Sequence, residues 1–170
     1  MKKLMLGVVC ALALAGVGAT TAQAQDVNFG VGYQSILPGN ILDGVSARAW
    51  LGMLGLDANL FQATVSTDTQ DVKVWLGAGR VMFAPIVKAN SKFYVGGEVG
   101  FGKLDTGNDS TTLKIFGGFL GSEFMFQEFP ELGFNWEVGY RLAKEDVEGA
   151  KADLKGVSVS MGIHYYFGGK

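Results

Sequence analysis

His164 is the only histidine in the chain and the first residue to test for chemistry. A histidine serving as a general base needs a nucleophile or an acid within about 3 Å. It lies in the segment VSVSMGIHYYFGG, Val157 to Gly169, where the nearest hydroxyl on its own face belongs to Ser160. Four residues of extended chain separate the two by roughly 13 Å, so Ser160 is out of reach. Glu137 or Gln34 could approach from neighbouring strands. The plainer reading outweighs the catalytic one: an interior or rim histidine bonded to a polar neighbour. No catalytic, cofactor-binding or metal-ligating set is assigned.

The other chemically capable residues are charges set among small residues. Arg48, Arg80, Lys114 and Arg141 stand against Asp57, Glu98 and Glu137, and their signs nearly balance. Enclosed together they would form ion pairs, since an unpaired charge in an interior is very costly. Arg48, Arg80, Glu98, Lys114, Glu137 and Arg141 are the expected members of such an interior charge network. Read functionally, the same set would line a channel. Asp105, Asn108 and Asp109 in LDTGNDST carry calcium-type ligands, but their spacing does not match an EF-hand loop. Gly77-Ala78-Gly79 and Gly96-Gly97 lack the strand-to-helix context that phosphate binding requires.

The elements that must position these residues are strands, because period-two alternation dominates. In ELGFNWEVGYRL, Leu132, Phe134, Trp136, Val138, Tyr140 and Leu142 oppose Gly133, Asn135, Glu137, Gly139 and Arg141. KFYVGGEVGFG, the segment from Val27 to Gln34 and the segment from Val157 to Phe167 alternate in the same way. Four further strands are expected at Val45–Met53, Leu56–Thr64, Lys73–Phe83 and Thr111–Phe126. In the third of these, Trp75, Val81 and Phe83 are placed outward so that Arg80 turns inward. The fourth sets Leu113, Ile115 and Phe119 opposite Lys114 and Phe116, with a register change expected before Glu123. Eight strands result. Polar or long connections at Ser35–Gly44, Val65–Val72, Lys103–Ser110 and Ala143–Gly156 alternate with mostly shorter ones, as in an up-and-down barrel that crosses a membrane.

Composition decides which face meets which solvent. Charged residues make up only 18%, against a typical ~25%, and the 26 glycines are about twice the usual share. A water-facing strand surface would carry Lys, Glu, Thr and Gln, whereas here the polar face is mostly Gly, Ser and Asn. Small residues suit the crowded interior of an eight-stranded barrel, and bulky aromatics suit lipid contact. The net charge of −2 offers no basic surface for nucleic acid. Residues 1–24 have the form of a secretory signal peptide. Lys2 and Lys3 precede an apolar run, Leu4–Gly18, and Ala22-Gln23-Ala24 is an A-x-A cleavage site. The single cysteine, Cys10, falls within it, so residues 25–170 contain neither a disulfide nor a thiolate metal site.

The last strand resembles the C-terminal assembly signal of bacterial outer-membrane barrels through Ser160, Gly162, Tyr165 and Phe167. The family pattern usually ends on its aromatic residue, whereas Gly168, Gly169 and Lys170 follow here. Over residues 25–170 the chain resembles the small eight-stranded outer-membrane β-barrel family, the OmpA/OmpX-like barrel domains. That resemblance implies an all-β, antiparallel, up-and-down transmembrane barrel in the Gram-negative cell envelope, with both termini periplasmic. It also implies contact with outer-membrane lipids and lipopolysaccharide, handling by the barrel assembly machinery, and no cofactor. The role it implies is structural or surface-interactive, with a narrow channel as the alternative. A lipid A-modifying enzyme comes third, because the His-x-Ser-Asn pattern of the deacylases is absent and Tyr165-Tyr166 follow His164.

Overall fold

A computed structural model describes residues 27–37, 42–66, 71–105, 110–147 and 150–167. They form eight strands: β1 (Val27–Leu37), β2 (Leu42–Leu51), β3 (Leu54–Ser66), β4 (Asp71–Lys88), β5 (Ser91–Asp105), β6 (Ser110–Phe126), β7 (Phe129–Val147) and β8 (Ala150–Phe167). Each pairs antiparallel with its sequence neighbours, and β1 also pairs with β8. The sheet therefore closes into a barrel and leaves no edge strand, which removes the row of unpaired backbone groups that lipid would penalise.

The barrel is inverted relative to a water-soluble one. Phe29, Val31, Tyr33, Leu56, Trp75, Val81, Val99, Phe101 and Tyr165 are exposed on its outside. Arg48, Asp57, Arg80, Glu98, Glu137 and His164 are buried within it. Trp75, Val81 and Phe83 point outward and Arg80 inward, as the strand pattern predicts.

One end carries three two-residue turns, Gly52-Met53, Ala89-Asn90 and Gln127-Glu128. Gly52 opens the first with φ at 62°, the left-handed value that a type II′ hairpin needs at this position. The other end carries the connections 38–41, 67–70, 106–109 and 148–149. These are shorter than expected, because the strands continue through most of the sequence assigned to loops. Within AKEDVEGAKADLKG the β7–β8 register continues without a shift from Leu142 opposite Lys155 to Val147 opposite Ala150. β6 shows no register change before Glu123. Its irregularity falls later, between Met125 and Phe126, and the unpaired stretch it leaves on β7 holds Pro130. Pro85 likewise lies where the β4–β5 register shifts between Phe83 and Ile86. Proline cannot donate to the ladder, so bulges are where a sheet accepts it.

The lumen is layered. At the turn end Trp50, Met82, Ala84, Tyr94, Phe119 and Tyr166 pack into one apolar cluster. Towards the loop end Ile36, Phe61 and Leu76 form another, with Leu42 and Ile115 against it. Between the two lies the polar layer.

Candidate functional site

The polar layer is built on one rung of the sheet. Hydrogen-bonded register places Arg48 opposite Asp57, Asp57 opposite Arg80, and Arg80 opposite Glu98. The next residues on the rung are Gly117 and then Arg141. Charge alternates along the rung from β2 to β5, and each member faces inward because strand parity repeats every two residues. Gly117 leaves the space through which Glu98 and Arg141 meet, since a Cβ there would lie 2.9 Å from Glu98 Oε1 and 3.2 Å from Arg141 Cγ.

Arg48 is fully buried and spends its whole guanidinium on neighbours. Nε and Nη2 donate to Asp57 Oδ2 at 2.9 and 2.7 Å, a two-pronged contact. Nη1 donates to Glu123 Oε1 at 3.1 Å, and Nη2 also reaches Glu137 Oε1 at 3.4 Å. Arg80 donates to Asp57 Oδ2 at 3.3 Å and to Glu137 Oε2. Its guanidinium carbon sits 3.9 Å from the centre of the Phe119 ring, a cation–π contact in a desolvated site. Arg141 pairs with Glu98 and donates to Ser158 Oγ at 2.7 Å.

Glu137 is the hub. Besides the two arginines it accepts from Gln34 Nε2 (3.1 Å), Tyr94 Oη (2.8 Å), Ser160 Oγ (3.0 Å) and Asn135 Nδ2 (3.4 Å). Glu123 accepts from Arg48, from Trp50 Nε1 at 2.9 Å and from Tyr166 Oη at 2.7 Å. A carboxylate so fully supplied with donors is stable as an anion in an interior that would otherwise reject it.

His164 is fully buried, and its partner is Ser46 on β2 rather than Glu137 or Gln34. Nε2 lies 2.8 Å from Ser46 Oγ, while Nδ1 lies 4.0 Å from Glu123 Oε1. This resembles a serine–histidine–acid arrangement, but the protons run the wrong way. Ser46 Oγ donates to Asp57 Oδ1 at 2.9 Å, so the histidine must donate from Nε2 and cannot take the serine proton.

The structure brings Arg48, Arg80, Glu98, Glu137 and Arg141 together, and Lys114 does not join them. Lys114 is exposed on the outer face with Phe116, while Leu113, Ile115 and Phe119 take the inner parity. The reason lies in the layer it would have entered. Among the described residues the lumen there is an apolar cluster, with Ile115 packed against Ile36, Phe61 and Leu76. Asp57 is central, and Glu123 was missed because of the register change expected just before it. Unbroken parity through Phe119, Gly121 and Glu123 is the signal that finds it.

Among the residues of the assembly signal, Ser160 points inward to Glu137. Gly162 packs against Asn135, Tyr33 and Gln34, and Tyr165 and Phe167 face outward. Asn108 and Asp109 lie outside the described residues, as do residues 1–26. Among the described residues no group of three His, Cys, Asp or Glu side chains is placed to hold a metal ion.

No protein-family model matches the chain, and no curated protein matches it. Solved structures do. Neisserial surface protein A is 14% identical with a TM-score of 0.56, covering 83% of this chain and 96% of that one. A major outer membrane protein of Thermus thermophilus is 13% identical with a TM-score of 0.54, covering 84% of this chain and all of that one. The N-terminal β-barrel domain of Pseudomonas aeruginosa OprF is 12% identical with a TM-score of 0.53, covering 85% and 100%. The chain has the fold of the small eight-stranded outer-membrane β-barrels.

Proposed function

We propose that this protein is an integral barrel of the bacterial outer membrane whose work is structural and surface-interactive, with a lumen closed to solutes. Its tight turns and both ends of the barrel chain face the periplasm, and its longer connections face the exterior. The observation that carries this reading is the filled lumen. Three arginines and four carboxylates cross-link the interior between two apolar clusters. A path for ions would have to break contacts of Arg48, Asp57 and Glu137, all essentially unexposed. The recess at the turn end, lined by Asn28, Lys88, Lys92 and Glu123, stops at the same network. The buried hydrogen-bond direction at Ser46 and His164 supports a non-enzymatic role.

Planar-bilayer recording tests this directly. The refolded protein should add no stepwise current at moderate voltage, and reproducible unitary steps would establish the channel reading instead. A second arm addresses catalysis: expression should leave lipid A unaltered, and an alteration abolished by His164→Ala would make the protein an enzyme.

A further inference from the structure

The recess at the turn end has a volume of about 220 Å³, about the room of seven water molecules. Lys88, Lys92, Asn28 and Ser91 line its polar side, and Val87, Ala89 and Met125 its apolar side. Most of these residues belong to the β4–β5 hairpin, which two contacts fasten to β6. Met125 N donates to the carbonyl oxygen of Asn90 at 2.9 Å, and Ser122 Oγ donates to that of Lys92 at 3.2 Å. The walls are therefore set before any ligand arrives, which lowers the ordering cost of binding.

The two cations decide what the recess can hold. Register sets Lys92 opposite Glu123, yet its ammonium lies 4.6 Å from the centre of the Trp50 ring. Glu123 is fully buried behind it and already accepts from Arg48, Trp50 and Tyr166. Among the described residues neither Lys88 nor Lys92 forms an ion pair. Positive charge therefore faces the mouth, with amide and hydroxyl donors beside it, and suits an anion. The apolar side narrows the choice. A phosphate would press charged oxygens against Val87, Ala89 and Met125. A free amino acid would bring its own ammonium beside two lysines. The last residue of a peptide has neither fault. Its carboxylate can meet the lysines and its small side chain the apolar wall, while the preceding chain leads out through the mouth.

We infer that this recess captures the C-terminal carboxylate of a peptide ending in a small apolar residue. The inference rests on the membrane-barrel reading above, which puts the recess on the periplasmic side. The test uses the full barrel refolded into phosphatidylcholine nanodiscs, with the backbone amide signals of Asn90, Ser91 and Lys92 followed by NMR. The probes are N-acetyl-trialanine with a free carboxylate, the same peptide as its C-terminal amide, free alanine, butyrate and inorganic phosphate. The free-carboxylate peptide should shift these signals saturably and bind at least fivefold more tightly than each of the others. K88Q/K92Q should lose that binding, while K88R/K92R keeps it. K88Q alone changes an exposed residue and should weaken binding with the barrel intact. No saturable shift, equal binding of the amide, butyrate or phosphate, or undiminished binding by K88Q/K92Q would overturn the inference. Heat-dependent gel mobility of every variant keeps the two readings apart. Wild type that inserts without binding the peptide removes only the capture site, whereas wild type that fails to insert removes the membrane reading itself.

Discussion

Arg48 touches three carboxylates contributed by β3, β6 and β7, so its loss cannot be repaired locally. Arg48→Leu should cost about 3–5 kcal/mol, because it leaves buried charges without their counterion. Arg141 is partly exposed, and Glu98 keeps Arg80 at 3.7 Å, so Arg141→Gln should cost only about 1–2 kcal/mol. Urea midpoints in lipid vesicles would rank the two, and equal losses would contradict the account of a shared hub. His164→Ala removes one hydrogen bond and some packing, and should lower stability by about 1–2 kcal/mol. Most of this network was legible in sequence because parity alone turns Arg48, Arg80, Glu98, Glu137 and Arg141 to one side. Lys114 was not legible. On β6 both faces carry large apolar side chains, so alternation separates the two sets without saying which is inside. The contacts of Ile115 and Phe119 decide it, and these are made across the barrel.

Strand pairing in this sheet depends on small residues in specific places. A Cβ at Gly162 would lie 2.6 Å from Asn135 Oδ1 and 2.9 Å from the carbonyl oxygen of Tyr33 on the adjoining β1. Gly162→Ala should therefore weaken the β1–β8 seam and destabilise the barrel by about 1–3 kcal/mol, as overpacking does. Gly79 faces outward with nothing within 4 Å of its would-be Cβ, so Gly79→Ala should fall within about 0.5 kcal/mol of wild type. Parallel unfolding curves would test the contrast. The number and order of strands could be read from alternation and turn chemistry. Their lengths could not, because polar stretches such as Ala143–Gly156 pair as strand while matching the composition of a loop. Backbone hydrogen bonding along a neighbour sets the end of a strand, and that neighbour is not visible in local sequence.

At the scale of the whole barrel, closure and the outward apolar surface set behaviour. The protein should leave membranes only with detergent and migrate faster on a gel before boiling than after it. A form soluble in water without detergent would contradict the inverted packing. Closure has a further consequence through Glu137, whose donors come from β1, β2, β4, β5, β7 and β8. No partial sheet can supply them all. The first four strands bring Arg48, Arg80 and Asp57 to the interior, and the last four bring Glu98, Glu123, Glu137 and Arg141. Each half alone is left with an excess of one sign, positive in the first and negative in the second. A sheet with the wrong strand count, or with one strand slipped by two residues, would leave Glu137 without part of this donor set, so the buried carboxylate is satisfied only in the closed eight-stranded register.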